Sequence, residues 1–94
     1  MGFAGCRTSG VLTGSNIVNK GQTLLISIHA TELSGSTAEI RIWDSTSADT
    51  GTEVARIRLT ANQTIEFDMH GVVCKNGLYF EEESGSVACS IEFA

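Results

Sequence analysis

The chain has 94 residues, 41% of them hydrophobic, and its six basic and eleven acidic residues give a formal net charge of −5. This length predicts one domain, and the hydrophobic content is too high for a disordered chain. An acidic surface repels phosphates, so we expect no nucleic-acid partner, and the short apolar runs predict no contact with a membrane.

The first 23 residues are rich in glycine and lack a clear hydrophobic period. Residues 3–8 and 11–13 are candidates for one or two strands within this segment. We therefore predict that residues 1–23 form either an N-terminal arm, which would pack on a neighbouring subunit, or edge strands. Residues 24–94 are predicted to form the main β-sandwich domain.

From residue 24 onward, apolar and polar residues alternate. Successive side chains of a strand point to opposite faces, so this period predicts strands with one buried face. In the first run, the predicted inward residues are Leu24, Ile26, Ile28 and Ala30, and the predicted outward ones are Leu25, Ser27 and His29. Five further runs follow, and their predicted inward residues are Ala38, Ile40, Ile42, Ala55, Ile57, Leu59, Ile65, Phe67, Met69, Leu78, Phe80, Val87, Cys89, Ile91 and Phe93.

Turn-forming residues separate these runs. The dipeptide Asn76-Gly77 is the strongest turn signal, because both residues tolerate a positive φ. The one long connection, residues 45–52, is rich in Ser, Thr, Asp and Gly. The other predicted turns are residues 34–36, 61–63, 70–71 and 84–86. Together these features predict an all-β fold: an antiparallel β-sandwich, jelly-roll-like, of about seven or eight strands.

Three cysteines, Cys6, Cys74 and Cys89, are widely spaced and form no CxxC pair, which argues against a zinc site. Cys89 falls on an apolar strand face and is predicted to be a small buried side chain. A Cys6–Cys74 or a Cys74–Cys89 disulfide stays open at this point.

No arrangement of residues indicates an enzyme or a cofactor site. His29 and His70 are the only histidines, and no nucleophile motif accompanies them. Asp44, Asp49 and Glu53 flank the long loop and would either hold Ca²⁺ or, in the case of Asp44, cap a turn. We predict no catalytic residues and no metal site.

Other charged residues suggest structural roles. The run Glu81-Glu82-Glu83 precedes a turn and is predicted to be a solvated hairpin end that discourages aggregation. Three arginines share outward positions on two neighbouring runs, where cross-strand pairs with glutamates are expected. These arginines are Arg41, Arg56 and Arg58, and the candidate partners are Glu39, Glu53 and Glu66.

Four segments of the chain carry a family resemblance. They combine an aliphatic-aromatic-Asp strand, a Gly-led strand, an Asn-Gly-Leu-Tyr strand and a final alternating strand, at residues 40–44, 51–57, 71–80 and 85–91. In this pattern the chain resembles small β-sandwich virion proteins of tailed phages, of the capsid decoration or cement type. The resemblance implies a homotrimer that binds the major capsid protein or other virion proteins, located in the virion after assembly in the host cytoplasm.

The predicted contact residues are apolar side chains of the N-terminal segment or of the more polar strand faces. They are Phe3, Leu12, Leu25, Trp43 and Tyr79. An alternative function is a carbohydrate- or receptor-binding module, or a connector component, of a phage tail or fibre. In that alternative, Trp43 and Tyr79 would stack on a sugar that Asp44 and Asp49 hydrogen-bond.

Overall fold

The computed structural model describes residues 5–94, so the predicted contact residue Phe3 lies outside the described residues. Between residues 5 and 94 there is no helix that is long and apolar enough to cross a membrane. The described part of the chain forms eight strands: β1 (Arg7–Leu12), β2 (Asn16–Lys20), β3 (Thr23–Glu32), β4 (Ala38–Asp44), β5 (Thr52–Leu59), β6 (Thr64–Cys74), β7 (Gly77–Ser84) and β8 (Val87–Phe93).

The strands pair as one long antiparallel hairpin, β1 with β8, β2 with β7, β3 with β6 and β4 with β5. Additional pairing of β3 with β8 and of β4 with β7 folds this hairpin into two four-stranded sheets. The first sheet has the order β1-β8-β3-β6 and the second has the order β2-β7-β4-β5. This wrapped hairpin is a jelly-roll sandwich, which confirms the predicted all-β antiparallel fold.

The N-terminal segment supplies an edge strand to each sheet. Strand β1 pairs only with β8, and β2 pairs only with β7. Both pairings contain a register shift, and both strands are short. Residues 7–20 thus belong to the same sandwich as the rest of the described chain.

The core lies between the inner faces of the two sheets. Strand β8 alternates strictly between buried and partly exposed residues, as its sequence predicts. The fully buried side chains come mainly from the central strands β3, β4, β7 and β8, and the largest apolar ones are Leu25, Ile28, Ile40, Ile42, Leu59, Leu78, Phe80, Val87 and Ile91.

The prediction for the start of β3 is wrong. Leu25 is fully buried, whereas Leu24 is 37% exposed. The register of β3 shifts between Leu25 and Ser27 against both neighbouring strands. A bulge inserts an extra residue and reverses the alternation, so the residues before it point to the opposite faces from those predicted.

The predicted turn at residues 70–71 is also wrong, because β6 continues through these residues to Cys74. Leu25 pairs with Val72 and Ser27 with Asp68, so three residues of β6 lie opposite Ile26 alone. The backbone φ angles of His70 (57°) and Gly71 (81°) are both positive. The two residues that the sequence marks as a turn therefore form a bulge inside a strand.

Phe67 does not lie in the core as predicted, since its side chain is 44% exposed. It shares an orientation with Ile65 and Met69, which are partly buried against the core. Strand β6 is the edge of the first sheet, so the opposing sheet covers its inward side chains only in part.

All three cysteines are free, which excludes both candidate disulfides in this structure. Cys6 is exposed, and Cys74 and Cys89 are buried, as predicted for Cys89. Burial raises the pKa of Cys89 to about 12 and also raises the pKa of Cys74, where the charge of Asp44 adds a smaller effect. The two buried thiols thus act as small apolar side chains.

Glu32 joins two loops at one end of the sandwich. Its carboxylate is almost fully buried and accepts bonds from the backbone N–H groups of Ser34 (2.8 Å), Gly35 (2.9 Å) and Asn62 (2.9 Å), and from the Ser34 hydroxyl. These donors, the Asn62 N–H foremost, lower the pKa of Glu32 to about 2. The carboxylate therefore fixes the β3–β4 and β5–β6 connections in their observed conformations.

We expect Glu32→Gln to lower the melting temperature at neutral pH by roughly 10 °C or more. Both oxygens of the Glu32 carboxylate accept hydrogen bonds, whereas a glutamine amide has only one oxygen that can accept. The folded-state pKa of about 2 lies below the ordinary value of 4.5, so the carboxylate stabilises the fold fully above pH 4.5. That contribution is lost as the pH falls toward 2. Melting curves of the parent and the variant should therefore converge between pH 4.5 and pH 2.

The control for this experiment is Glu66→Gln, which removes a carboxylate that is 72% exposed. It should change the melting temperature little at any pH. A constant difference between the parent and Glu32→Gln from pH 7 to pH 2 would contradict the assigned role.

Candidate binding surface

A hydrogen-bonded cluster lies at the centre of the outer surface of the first sheet. His29 on β3 lies between Glu66 on β6 and Ser90 on β8. The Ser27 hydroxyl donates to Oε1 of Glu92 (2.5 Å) and lies 3.1 Å from Nε2 of His29. Nδ1 of His29 is 3.8 Å from a Glu66 oxygen, and its Nε2 is 3.7 Å from a Glu92 oxygen.

The serine, histidine and carboxylate side chains of this cluster form one hydrogen-bonded network. The Ser27 proton is donated to Glu92, and this bond lowers the pKa of Glu92, with His29 adding a smaller effect. Ser27 is only 6% exposed. Strand β3 is paired on both sides, so its backbone N–H groups from residue 27 to 31 are used in the two ladders.

The carboxylates of this surface have no lysine or arginine partner within ion-pair distance among residues 5–94. Glu66 and Glu92 approach only His29, and Asp68 approaches only His70, at 3.4 Å. We call this surface, defined by Glu66, Asp68 and Glu92, the acidic face. A surface of one charge sign attracts a partner of the opposite sign.

Apolar side chains border the acidic face. Leu24 and Val73 are register partners on β3 and β6, with exposures of 37% and 51%. Val11 on β1 is 70% exposed at the opposite edge. A cavity of ≈ 500 Å³ opens beside Leu24 where β6 bulges, and it is lined by Leu24, Ile26, Asp68, His70 and Gly71.

The outer surface of the second sheet has a different character, because its three arginines are paired with glutamates. Glu39 accepts bonds from Arg41 (3.0 Å) and Arg58 (3.1 Å), and both lower its pKa, Arg41 more strongly. Glu53 accepts two bonds from Arg56, at 2.7 and 2.8 Å. The predicted cross-strand pairing is confirmed for Arg58 and Glu39. The other two pairs form within single strands, β4 and β5, and Glu66 lies on the other sheet.

Trp43 and Tyr79, two predicted contact residues, are register partners on this second sheet. Trp43 is only 8% exposed, and its Nε1 donates to Oε1 of Glu81 at 2.9 Å. Tyr79 is half-buried. The largest aromatic ring of the chain is therefore covered and offers little surface for a partner or a sugar.

Two further predicted contact residues also have limited exposure. Leu25 is fully buried in the core, because of the bulge in β3, and offers no contact surface on this chain. Leu12 is partly buried and packs against the core. The prediction that Glu81–Glu83 form a solvated hairpin end is wrong in part, since Glu81 is 8% exposed and Glu82 accepts the Val87 N–H at 3.0 Å.

The carboxylates around the long loop do not converge on one point. Asp44 accepts the N–H groups of Lys75 (3.1 Å) and Asn76 (2.7 Å), and so caps the β6–β7 turn. Glu53 pairs with Arg56, and Asp49 lies 3.9 Å from Arg41. Within the described part of the chain, no three His, Cys, Asp or Glu side chains are placed to hold a metal ion.

Sequence reasoning missed the acidic face. The spacing of Ser27 and His29 shows that they share a strand face. Glu66 and Glu92, however, reach the same point from β6 and β8, and only the strand order brings them together.

Comparisons with known proteins identify no relative. No protein family matches the chain, and no curated protein or solved structure is significantly similar to it.

Proposed function

We propose that the protein is a structural virion subunit of the decoration or cement type, which binds an assembled phage capsid through protein–protein contacts. One observation carries the binding role. Among the described residues, three of the six large apolar side chains that are exposed border the acidic face of the first sheet. These three are Val11, Leu24 and Val73.

Exposed apolar residues that cluster on one sheet are typical of a binding surface. The virion context comes from the sequence resemblance, and jelly rolls are a recurrent architecture of capsid proteins, which is an argument by analogy of fold. The sugar-binding alternative has less support, because stacking requires an open aromatic face and Trp43 is covered.

The proposed mechanism is linkage between binding and assembly. A subunit that binds the assembled shell and not its free components stabilises the shell by mass action. A homotrimer would present three such surfaces at once, and the resulting avidity would strengthen binding to a lattice.

The test is co-purification with intact particles. We expect the protein on particles in amounts stoichiometric with the major shell protein. The Leu24→Asp variant should fold but should be depleted from particles. The matched control is Ile17→Asp, because Ile17 has the same 37% exposure but lies on the second sheet. A few copies per particle would favour the tail alternative, and complete absence from particles would refute a virion role.

A further inference from the structure

Strand β6 leaves one long backbone edge without a partner. It pairs only with β3 and lies at the margin of the first sheet. At 11 residues it is the longest strand of the described chain. Residues 64–68 pair with β3 without any shift, and the bulge at residues 69–71 ends this regular stretch. The available edge is therefore about five residues long.

The hydrogen-bond pattern shows which backbone groups this edge offers. The Glu32 N–H donates to the Gln63 carbonyl at 2.8 Å. In an antiparallel ladder the bonded residues alternate, so the backbone groups of Ile65 and Phe67 point toward β3. The N–H and C=O groups of Thr64, Glu66 and Asp68 point away from the sheet and are free to pair with another strand.

The side chains along the edge alternate in chemistry. Glu66 and Asp68 project from the acidic face, with side-chain exposures of 72% and 68%. Phe67 lies between them on the opposite side and is 44% exposed. If two copies of β6 paired antiparallel around Phe67, Glu66 of one copy would face Asp68 of the other, and like charges placed opposite each other are destabilising.

The other three edges are less suited to accept a strand. Strands β1 and β2 are short and have irregular register with their single neighbours. On β5, Arg56 and Arg58 are already engaged by Glu53 and Glu39. Only β6 combines a regular free backbone with carboxylates that no lysine or arginine of the described residues approaches.

We propose that the edge of β6 at residues 64–68 accepts an extended segment of a partner protein in which basic residues alternate with apolar ones. The segment adds antiparallel to β6, as a fifth strand of the first sheet. Its basic side chains lie opposite Glu66 and Asp68, and an apolar side chain between them covers Phe67. This inference rests on the proposed protein-binding role and names the chemistry of the partner.

The first test uses synthetic peptides as probes. A peptide of seven residues that alternates lysine with valine should bind, and the same peptide with glutamate in place of lysine should not. Amide chemical-shift mapping on the full chain should place the largest changes on Thr64, Glu66 and Asp68. Equal binding of both peptides, no binding of the lysine peptide, or changes centred on another strand would overturn the inference.

N-methylation of the peptide tests the strand geometry. The residues opposite Glu66 and Asp68 direct their N–H groups toward β6, because these positions form bonded pairs. Methylating the lysine nitrogens should therefore abolish binding, whereas methylating the valine nitrogens, which face solvent, should leave it intact. Equal effects of the two methylation patterns would rule out addition of a strand.

Charge variants test the role of the carboxylates. Glu66→Gln with Asp68→Asn should weaken lysine-peptide binding roughly tenfold, and the asparagine keeps an oxygen that can accept the His70 N–H. The control, Ser36→Lys with Thr46→Lys, adds two positive charges to exposed loops and brings the net charge of −5 to the same −3. A comparable loss in the control would show that only net charge matters and would overturn the proposed pairing.

The peptide and particle experiments separate the two proposals. Peptide binding that fails while the protein still co-purifies with particles would remove the β6 edge as the docking site and leave the virion role standing. Peptide binding that succeeds with no protein on particles would support the edge inference and refute the virion role.

Discussion

Phe80→Ala is expected to lower the free energy of unfolding by about 3–5 kcal/mol, the largest loss we predict for a single side chain. Phe80 is fully buried on β7, and it is the largest of the fully buried side chains. Its ring packs in the core cluster between the two sheets. Truncation therefore loses both the transfer free energy and the contacts that would line the cavity.

Urea unfolding of purified variants measures this effect. A domain of this size has a total stability of about 5–15 kcal/mol, so Phe80→Ala removes a large part of it. Phe80→Leu keeps most of the volume and should cost less than about 1.5 kcal/mol, which preserves a folded comparison if the alanine variant does not fold. Val73→Ala, at an exposed position, should change stability by less than about 0.5 kcal/mol. A cost below about 1 kcal/mol for Phe80→Ala would contradict the assigned place of Phe80 in the core.

The sequence predicts the central strands well because burial of one strand face is enough to determine which residues are apolar. Strands β4 and β8 lie inside the sheets, with one side toward the core and the other toward solvent, so the period of two appears directly in their residues. The jelly-roll order itself is not a local property. It depends on which strands pair across the whole hairpin.

The start of β3 and the middle of β6 could not be predicted from alternation, because a bulge is defined by the partner strand. Leu24, Leu25 and Ile26 are all aliphatic, so the sequence gives no sign of which one points inward. His70 and Gly71 did carry a signal, namely a residue pair suited to positive φ. A residue pair that tolerates positive φ can form either a turn or a bulge, so the pair alone does not distinguish the two.

The residues of the two outer sheet surfaces were likewise predicted only in part. Glutamates were predicted as cross-strand partners of the arginines, but Arg41 and Arg56 bind glutamates of their own strands, two and three residues away. Trp43 was predicted to be a contact residue from its position on a polar strand face, and that position is correct. Its ring is nevertheless covered, and Glu81 on β7 accepts the hydrogen bond of the indole N–H.

Gly85→Ala is expected to cost about 2–5 kcal/mol, considerably more than Gly35→Ala, although the two glycines have nearly identical φ angles. Their φ angles are +77° and +78°, so alanine at either position meets the same strain of roughly 1–2 kcal/mol. The entropy that alanine removes from the unfolded chain is also the same for both. Only the surroundings differ.

A Cβ on Gly85 would lie 2.6 Å from the Ala38 Cβ and 2.6 Å from the Thr37 carbonyl oxygen, while a Cβ on Gly35 meets nothing within 4 Å. Gly85 lies in the connection between β7 of the second sheet and β8 of the first, and the chain here passes directly over the start of β4. The clash is with backbone and a short side chain, so β4 or the connection must move. The difference between the free energies of unfolding of the two variants thus measures the cost of moving the β7–β8 connection away from the start of β4. Equal costs for Gly85→Ala and Gly35→Ala would show that the crossing yields freely and that the close approach contributes nothing to stability.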